Sequence, residues 1–380
     1  MMRDVAIIGV GMTNIGKFPD RMLSSMGREA VIAALKDAGV PPKEIQAAYS
    51  GTSLGGALLG QRIFKDLGMS GMPINNMENA CSSGSSAMRE AWLSIASGLY
   101  DMVIAVGSEK LSALGGGTLP LEREDLEVSG GMVMPALYAM RARRYMHEFG
   151  ATPEHLAKVV VKSRRCATKN PQAQFRKETT VEEVLNSRMV ADPLTLFQCC
   201  PMGDGSAAAV LCSADKARQY TRQPILIKGS ILVSGRFDNS FRDMTTPEIT
   251  VRASKLAYEM AGIGPKEVSL AEVHDAFSIA ELLYYEALGF CGRGEAPKLL
   301  DEGATEIGGR IPVNPSGGLI SKGHPTGATG LAQTTEIVWQ LRGQAGARQV
   351  KNAKVGLTHC TGGGIYGLDH GACSIHIFTK

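Results

Sequence analysis

A short segment of this chain occurs twice, and this internal repeat constrains the fold more than any other feature of the sequence. Residues 38–45 read AGVPPKEI and residues 261–268 read AGIGPKEV, so five of eight positions are identical at an offset of 223. An amphipathic helical pattern precedes each copy and stops at its glycine, as helices commonly do. A strand pattern follows each copy, AAYSG in the first half and AEVHDAF in the second. The sequence therefore predicts one structural unit built twice.

The parallel between the two halves extends further along the chain. Cys81 precedes a helical pattern at residues 83–97 that leads to the strand DMVIAVG, and His324 precedes one at residues 327–341 that leads to AKVGLTHC. Each half is therefore predicted as a β-α-β-α-β unit, whose apolar strands form a parallel sheet covered by helices on both faces. A duplicated α/β unit commonly pairs about a pseudo-twofold axis, with the chemistry at the strand ends where the halves meet.

One segment, residues 111–190, has no counterpart in the second half and is predicted to be an inserted lid or loop domain. The strand GDGSAAAVLCS then completes the first half. The predicted domains are an N-terminal half of residues 1–110 and 191–222, the insertion, and a C-terminal half of residues 223–380. Residues 141–177 carry ten lysines or arginines against two acidic residues. This excess indicates either a solvated helix face or a site for an anionic ligand that carries phosphates.

Composition and the first residues exclude several classes of protein. The 380 residues are 44% hydrophobic and 20% charged, which is typical of a soluble enzyme with a large core. The start, MMRDVAIIGVGM, gives a short apolar run interrupted by glycines, so neither a secretory signal nor a membrane span is predicted, and a cytoplasmic location is expected. The glycine spacing also does not match the dinucleotide-binding fingerprint. A net charge of +3 does not indicate nucleic acid binding.

Eight cysteines are present, and none of them stands in a C-x-x-C spacing. A zinc ribbon is therefore not predicted, and no metal ligands are assigned from the sequence. The adjacent pair Cys199 and Cys200 is expected to be structural. Four histidines lack a motif that indicates a partner and are expected to be surface or packing residues: His147, His155, His370 and His376.

Cys81 lies in the segment NACSSGSSA, where small residues surround a cysteine just before a predicted helix. The free N–H groups at a helix start favour a thiolate, so the pKa of this thiol is expected to lie below its reference of about 8.5. Cys81 is therefore the candidate nucleophile. His324 stands in SKGHPTGATG, a glycine-rich turn before another helix, from which it can accept the thiol proton or donate to an oxyanion.

Two further candidates lie at predicted strand ends of the second half. His274, in AEVHDAFS, is placed to polarise a carbonyl group, and its neighbour Asp275 is expected to cap the following helix. Cys360 stands in HCTGGG, where the N–H groups of three glycines can form an anion-binding nest. These residues add a second cysteine and a second histidine to the predicted site.

These motif segments, taken together and in order, resemble the thiolase superfamily over essentially the whole chain. NACSSG resembles the nucleophile loop of thiolases, CCPMGDGSAAAV the end of the first half, GHPTGATG the histidine loop and CTGGG the closing loop. HDAFS resembles the sterol-carrier-protein-type thiolases and their bacterial and archaeal relatives. The resemblance implies the thiolase fold, in which two duplicated halves form five α-β-α-β-α layers with an inserted loop domain.

The resemblance also implies a role for each candidate residue. Cys81 would accept the acyl group, His324 would activate it, and Cys360 would move a proton on the α-carbon. The backbone N–H groups of Cys81 and Gly362 would form one oxyanion hole, and His324 with His274 the other. The implied reaction is thiolytic cleavage of a 3-oxoacyl-CoA, or the reverse Claisen condensation, by a ping-pong mechanism. Coenzyme A is then a substrate that lies against the insertion, and no tightly bound cofactor is implied.

The resemblance further implies a homodimer or a dimer of dimers that binds acyl-CoA and CoA, and it admits a small zinc-ribbon/OB-fold companion protein. Three alternatives share the fold. A decarboxylating 3-oxoacyl synthase needs no base for an α-proton, so Cys360 argues against it. A retro-aldolase is disfavoured because both Cys81 and Cys360 are retained, and a non-catalytic acyl-CoA or lipid-binding subunit has no chemical need of all four side chains. The acyl chain and the direction of the reaction stay open.

Overall fold

Nine strands form one continuous sheet in the computed structural model, which describes residues 2–236, 242–364 and 368–380. A separate hairpin of two short strands, within residues 189–195, lies in and just after the insertion. The strands of the described residues are β1 (Val5–Met12), β2 (Ala47–Gly51), β3 (Ile74–Met77), β4 (Met102–Lys110), β5 (Met189–Ala191), β6 (Leu194–Thr195), β7 (Asp204–Ser213), β8 (Ile225–Ser234), β9 (Leu270–Glu272), β10 (Val355–Gly362) and β11 (Ala372–Thr379).

The helices lie on both faces of this sheet and above one end of it. They are α1 (Leu23–Ala38), α2 (Leu59–Phe64), α3 (Ser83–Ala96), α4 (Leu126–Ser129), α5 (Met134–Phe149), α6 (Pro153–Thr168), α7 (Val181–Leu185), α8 (Ala214–Tyr220), α9 (Glu248–Ala261), α10 (Ser278–Ala287), α11 (Ala296–Asp301) and α12 (Thr329–Arg342).

The sheet order, β3-β2-β4-β7-β1-β8-β11-β10-β9, contains the predicted duplication. β1 and β8 start the two halves and meet in the middle of the sheet, where Ala6 pairs with Leu226 and Ile7 with Ile225. Outward from this seam, β7, β4 and β2 of the first half correspond to β11, β10 and β9 of the second. Helices α1 and α3 correspond in the same way to α9 and α12. The prediction of one unit built twice is therefore confirmed.

The repeated segment ends a helix in the same way in both halves. Gly39 follows α1 and Gly262 follows α9, with φ of 67° and 63°. This left-handed conformation carries no steric cost for glycine and is the common way to end a helix. The PKE residues of each copy then form a short 3-10 turn before the next strand.

The prediction of a purely parallel sheet is wrong for the two strands that complete the halves. β7 lies between β4 and β1 and runs antiparallel to both. β11 likewise runs antiparallel to β10 and β8. A parallel neighbour requires a crossover connection, usually a helix. The chain reaches β7 through the insertion and β11 through the short connection after β10, so neither strand follows a crossover helix within its half.

The helices and the two halves of the sheet form five layers. α3 and α12 lie against each other between the half-sheets, α1 covers the outer face of the first half, and α9 covers the outer face of the second. Adjacent residues of β1 illustrate this arrangement, because Ile7 packs in the core around α3 and α12 whereas Ile8 packs in the core beneath α1. Both are fully buried, which accounts for the continuous apolar runs of the strands. The layered fold implied by the resemblance is confirmed.

The insertion packs on the second half of the molecule. Helix α6 contacts α10 and α11, and α5 also contacts α10. Two of the predicted basic residues bridge this contact, because Lys158 pairs with Asp301 and Arg165 pairs with Glu306. Part of the excess positive charge is therefore neutralised by ion pairs within the chain. Three exposed basic residues have no ion-pair partner in the described part of the chain: Lys169, Arg176 and Lys177.

The boundaries of the three predicted domains stay a prediction. Among the described helices, none combines the length and the apolar character needed to cross a membrane.

Candidate active site

Cys81 lies in a tight turn between β3 and α3. The turn Ala80–Ser82 leads directly into the helix, and Ala80 has a positive φ of 48°. This strained residue is held from both sides, because its N–H donates to the Glu78 carboxylate and its carbonyl accepts from Ser83 Oγ, at 2.7 and 2.6 Å. The turn thus presents Cys81 at the start of α3, where the sequence places it.

The surroundings of Cys81 correct the expectation of a resting thiolate. Burial and the nearby carboxylate of Glu109 raise the pKa of the Cys81 thiol to about 12, and the favourable effect of a backbone hydrogen bond is smaller. Desolvation therefore outweighs the helix start, which was the basis of the expectation. The free protein holds a neutral thiol that must lose its proton during any nucleophilic attack.

His324 lies between a π-helical turn, Gly318–Lys322, and the 3-10 turn that opens α12. Its Nδ1 is 2.8 Å from Thr329 Oγ1, and the Thr329 hydroxyl donates its hydrogen to the Pro325 carbonyl at 3.1 Å. With its hydrogen on the Pro325 carbonyl, the hydroxyl accepts from the ring, and this assignment places the imidazole hydrogen on Nδ1 and the lone pair on Nε2. Burial, with a smaller effect from Lys322, lowers the pKa of His324 to about 3. A neutral imidazole with a bare Nε2 results.

His274 and Cys360 form the second pair of the site. Cys360 Sγ is 3.2 Å from the Cys81 carbonyl oxygen and 3.5 Å from His274 Nδ1. Because the carbonyl can only accept, it takes the thiol hydrogen, and His274 Nδ1–H donates to the sulfur. Nε2 of His274 is then also a bare acceptor. Burial lowers the pKa of His274 well below its usual range and raises that of Cys360 well above it.

The structure brings the predicted site residues together from both halves. One ligand atom each of Cys81, His274 and His324 lies within 4.8 Å of the other two, and the two imidazole rings meet edge to face with centroids 5.0 Å apart. Gly362 ends β10 against the nucleophile turn, where a Cβ atom would overlap the Asn79 carbonyl oxygen. Only glycine permits this close approach of the CTGGG loop to the Cys81 turn.

A buried ionic network behind the site fixes the two histidine segments to each other. Glu272, at the end of β9, accepts from Ser316 Oγ at 2.6 Å and from Lys322 Nζ at 3.2 Å. Asp275 does not cap α10, as the sequence suggested, because its carboxylate turns back to accept from Leu319 N at 2.6 Å. The sequence did not indicate these contacts, although a lysine between apolar residues and glycines was a signal that Lys322 could be buried.

Glu109 is a second residue that the sequence analysis missed. Glu109 is the penultimate residue of β4, and its side chain points into the interior. Its carboxylate accepts from Ser53 N at 2.8 Å, Thr326 Oγ1 at 2.8 Å and Gly327 N at 3.1 Å. These contacts tie the first half to the turn that follows His324. The only signal in the sequence was an acidic residue at the end of an otherwise apolar strand.

Two of the histidines expected to be surface or packing residues are buried and have well-defined polar partners. His370 is buried, with Nε2 at 2.7 Å from Tyr138 Oη and Nδ1 at 2.7 Å from the Gly363 carbonyl oxygen. Its ring lies 6.4 Å from that of His274. His376 is buried within hydrogen-bond distance of serine hydroxyls on three elements: Ser85, Ser230 and Ser374. Tyr138, Ser85 and Ser230 are distant in sequence from these histidines, so no local pattern revealed these contacts.

Comparison with known protein families gives a match in each half of the chain. The model of the thiolase N-terminal domain matches residues 5–215, and that of the thiolase C-terminal domain-like family matches residues 233–369. The chain belongs to the thiolase family. The predicted family and fold are therefore confirmed, and the two matched regions fall on the two structural halves.

Individual thiolase relatives extend over nearly the full chain. The acetyl-CoA acetyltransferase of Methanothermobacter thermautotrophicus is 44% identical, with 100% of both chains covered. The benzoylsuccinyl-CoA thiolase subunit BbsB of Thauera aromatica is 45% identical over 95% of both. Among solved structures, the Ltp2-ChsH2(DUF35) aldolase superposes with a TM-score of 0.86 at 26% identity, covering 99% of this chain and 98% of that one. The predictions of an enzyme and of a thiolase-type acyl-CoA C-acyltransferase are confirmed.

Proposed function

We propose that this acyltransferase works through an acyl thioester on Cys81, in thiolytic cleavage of a 3-oxoacyl-CoA or in the reverse Claisen condensation. The observation that carries the proposal is the convergence of Cys81, His274 and His324 within 4.8 Å, with Cys360 against the Cys81 carbonyl. Two thiols and two neutral imidazoles are the groups that the two half-reactions need.

In the first half-reaction, Cys81 attacks the thioester or ketone carbonyl while its proton moves to Nε2 of His324. The pKa values of about 12 and about 3 mean that a thiolate–imidazolium pair does not accumulate in the free protein. Proton transfer therefore accompanies attack, when the negative charge passes to the substrate oxygen. The N–H groups of Cys81 and Gly362 are the proposed donors to that oxygen, and loss of one such donor typically costs about 10²- to 10³-fold in rate.

In the half-reaction that breaks or forms the carbon–carbon bond, Cys360 is the proposed group that moves the α-proton. Its thiol is within reach of both the Cys81 carbonyl and His274 Nδ1, so two hydrogen arrangements are available. If the thiol turns to donate to Nδ1, His274 carries its own hydrogen on Nε2 and becomes a donor. When a 3-oxoacyl-CoA is cleaved, His324 still carries the Cys81 proton, so His274 and the protonated His324 supply the second oxyanion hole for the enolate oxygen of the departing acyl-CoA. Cys360 gives its thiol proton to the α-carbon, and condensation is the reverse.

The three alternative functions fit the geometry of this site less well. A decarboxylating synthase forms its carbanion without an α-proton base, and Cys360 in contact with the Cys81 turn is the feature that favours a thiolase over it. The same pair of thiols disfavours the retro-aldolase reading, although a solved aldolase shares the fold. A non-catalytic subunit has no need of two buried thiols beside two neutral imidazoles.

The substrates and partners follow from the family and its relatives. Acyl-CoA and CoA are the substrates of thiolases, and we propose that CoA lies along the insertion near the exposed Lys169, Arg176 and Lys177. All reacting side chains come from the chain, so the mechanism invokes no tightly bound cofactor. One relative is named as a subunit and a solved one carries a DUF35 partner, which supports a zinc-ribbon/OB-fold companion. A homodimer or dimer of dimers and a cytoplasmic location stay predictions.

Removal of the Cys360 thiol separates the two half-reactions. Cys360→Ala should still gain an acetyl group on Cys81 from acetyl-CoA, seen as an increase in intact mass, because acylation needs no carbon base. It should fail to exchange the α-protons of acetyl-CoA with deuterated water and fail to cleave a 3-oxoacyl-CoA.

Cys373→Ala is the matched control, since Cys373 is equally buried on the neighbouring strand β11 and should behave as wild type in all three assays. If acetyl-CoA is not accepted, another short acyl-CoA that acylates the wild type takes its place. Full 3-oxoacyl-CoA cleavage by Cys360→Ala would remove this residue from the mechanism and favour the synthase or aldolase reading.

A further inference from the structure

The three side chains that converge at the site are also a set of metal-ligand atoms. One ligand atom each of Cys81, His274 and His324 lies within 4.8 Å of the others. Around a tetrahedral zinc ion, bond lengths of about 2.0 to 2.3 Å separate neighbouring ligand atoms by roughly 3.4 to 3.6 Å. The three atoms therefore need to approach one another by no more than about 1.5 Å, which small side-chain rotations supply.

The hydrogen bonds around the two rings leave the correct nitrogens free. Thr329 holds the hydrogen of His324 on Nδ1, and Cys360 holds that of His274 on Nδ1. A histidine that binds a metal through one nitrogen almost always donates its other N–H to a partner, which fixes the ring and strengthens the ligand. Both rings have a partner at Nδ1, which leaves Nε2 as the nitrogen that each can offer to a metal.

The charges nearby also suit a cation. The Glu109 carboxyl group, which ties the Cys81 half to the turn after His324, accepts from Ser53 N, Thr326 Oγ1 and Gly327 N and from no charged group among the described residues. The positive charge of Lys322 is offset by Glu272 at 3.2 Å. Cys81 is a partly exposed residue, whereas His274 and His324 are buried. A divalent ion at this place would meet the carboxyl groups of Glu109 and Glu78, which have no ion-pair partner among the residues described here, whereas the Lys322 ammonium group is paired.

We propose that the acyl-free protein binds one zinc-class divalent ion through Cys81, His274 and His324, with a fourth position open to water. Binding replaces the thiol hydrogen by the metal and releases one proton to solvent. The ion then occupies both Nε2 lone pairs and the nucleophile, so metal and acyl-CoA exclude each other. Zn²⁺ should inhibit reversibly, whereas Mg²⁺ and Ca²⁺, which prefer oxygen ligands, should have no effect.

Cobalt(II) titration of the purified, fully reduced chain tests this site without any turnover, so its outcome is independent of the proposed reaction. We expect one equivalent of Co²⁺ to give the visible bands of a tetrahedral ion and a thiolate-to-cobalt charge-transfer band. Cys81→Ala should lose the charge-transfer band, and Cys291→Ala, which removes a partly buried cysteine outside the site, should keep it. Zn²⁺ should displace the cobalt, and prior acylation of Cys81 should block it.

A pair of threonine variants tests whether the hydrogen bond to His324 Nδ1 contributes to metal binding. Thr329→Val removes the partner of His324 Nδ1 and should weaken cobalt binding about 10- to 100-fold. Thr334→Val is the matched control, because Thr334 is also buried on α12 and its hydroxyl donates to the carbonyl four residues earlier. A charge-transfer band that persists in Cys81→Ala, or equal affinities in the two threonine variants, would overturn the proposal.

Discussion

The contact between α3 and α12 sets the distance between Cys81 and His324, and Gly330→Ala perturbs it directly. A Cβ on Gly330 would lie 2.6 Å from Ser85 N, whereas ordinary contact begins at 3.4 Å, so the helices must separate locally by about 0.8 Å. Alanine gains about 1 kcal/mol over glycine in helix propensity, but overpacking a tight contact typically costs about 1 to 3 kcal/mol. We therefore expect net destabilisation of at most about 2 kcal/mol, small enough for the variant to fold.

The expected effect on catalysis is larger than the effect on stability. Misplacement of reacting groups by about 1 Å costs up to about 10²-fold in rate. Steady-state cleavage of a 3-oxoacyl-CoA should therefore show a fall in kcat of one to two orders of magnitude. The control is Gly264→Ala, where the nearest atom to the added Cβ is a flexible carboxylate oxygen at 3.7 Å. A kcat for Gly330→Ala within twofold of that control would refute the reasoning.

Two further predictions concern the histidines. His324→Ala should cost more activity than His274→Ala, at least about 10²-fold, because His324 is proposed both to take the thiol proton and to stabilise an oxyanion. Equal rates for wild type and His324→Ala would contradict this. Burial lowers the pKa of five histidines below their unfolded value of about 6.5, so unfolding takes up protons at low pH. The free energy of unfolding should therefore fall by about 1 kcal/mol per histidine for each pH unit below pH 6. The urea midpoint at several pH values measures this change. The five histidines are His274, His324, His359, His370 and His376.

Local sequence patterns predicted the elements of the fold well. The helix expected before the second repeat copy ends at Ala261, directly before Gly262, and the strand AAYSG is present with its expected bounds, because a helix stop at glycine and a short apolar strand are encoded by neighbouring residues. The strand expected through His274 is shorter, since β9 ends at Glu272 and the chain then turns to place both His274 and Asp275 inside the molecule. Strand direction was predicted less well, because β7 and β11 depend on connections that periodicity does not describe.

The candidate residues of the site also came from local motifs. Cys81, His274, His324 and Cys360 each stand at a strand or helix end with small neighbours, and such positions can be read from the sequence alone. Their catalytic roles stay proposals. The ionisation of Cys81 was predicted wrongly, because a helix start is a local feature whereas burial and the charge of Glu109 arise from segments that only the fold brings near.

By itself, the sequence determined the doubled α/β unit, the segment without a counterpart in the second half and the four candidate side chains, because each is recorded in a short run of residues or in a repeat of one. Only the tertiary structure decided the protonation states and hydrogen directions. The Thr329 hydroxyl holds the ring hydrogen of His324 on Nδ1 and so leaves Nε2 with a free lone pair, and Cys360 does the same for His274. Desolvation and hydrogen bonding are sums over every group packed around an atom, and here those groups come from both halves of the chain.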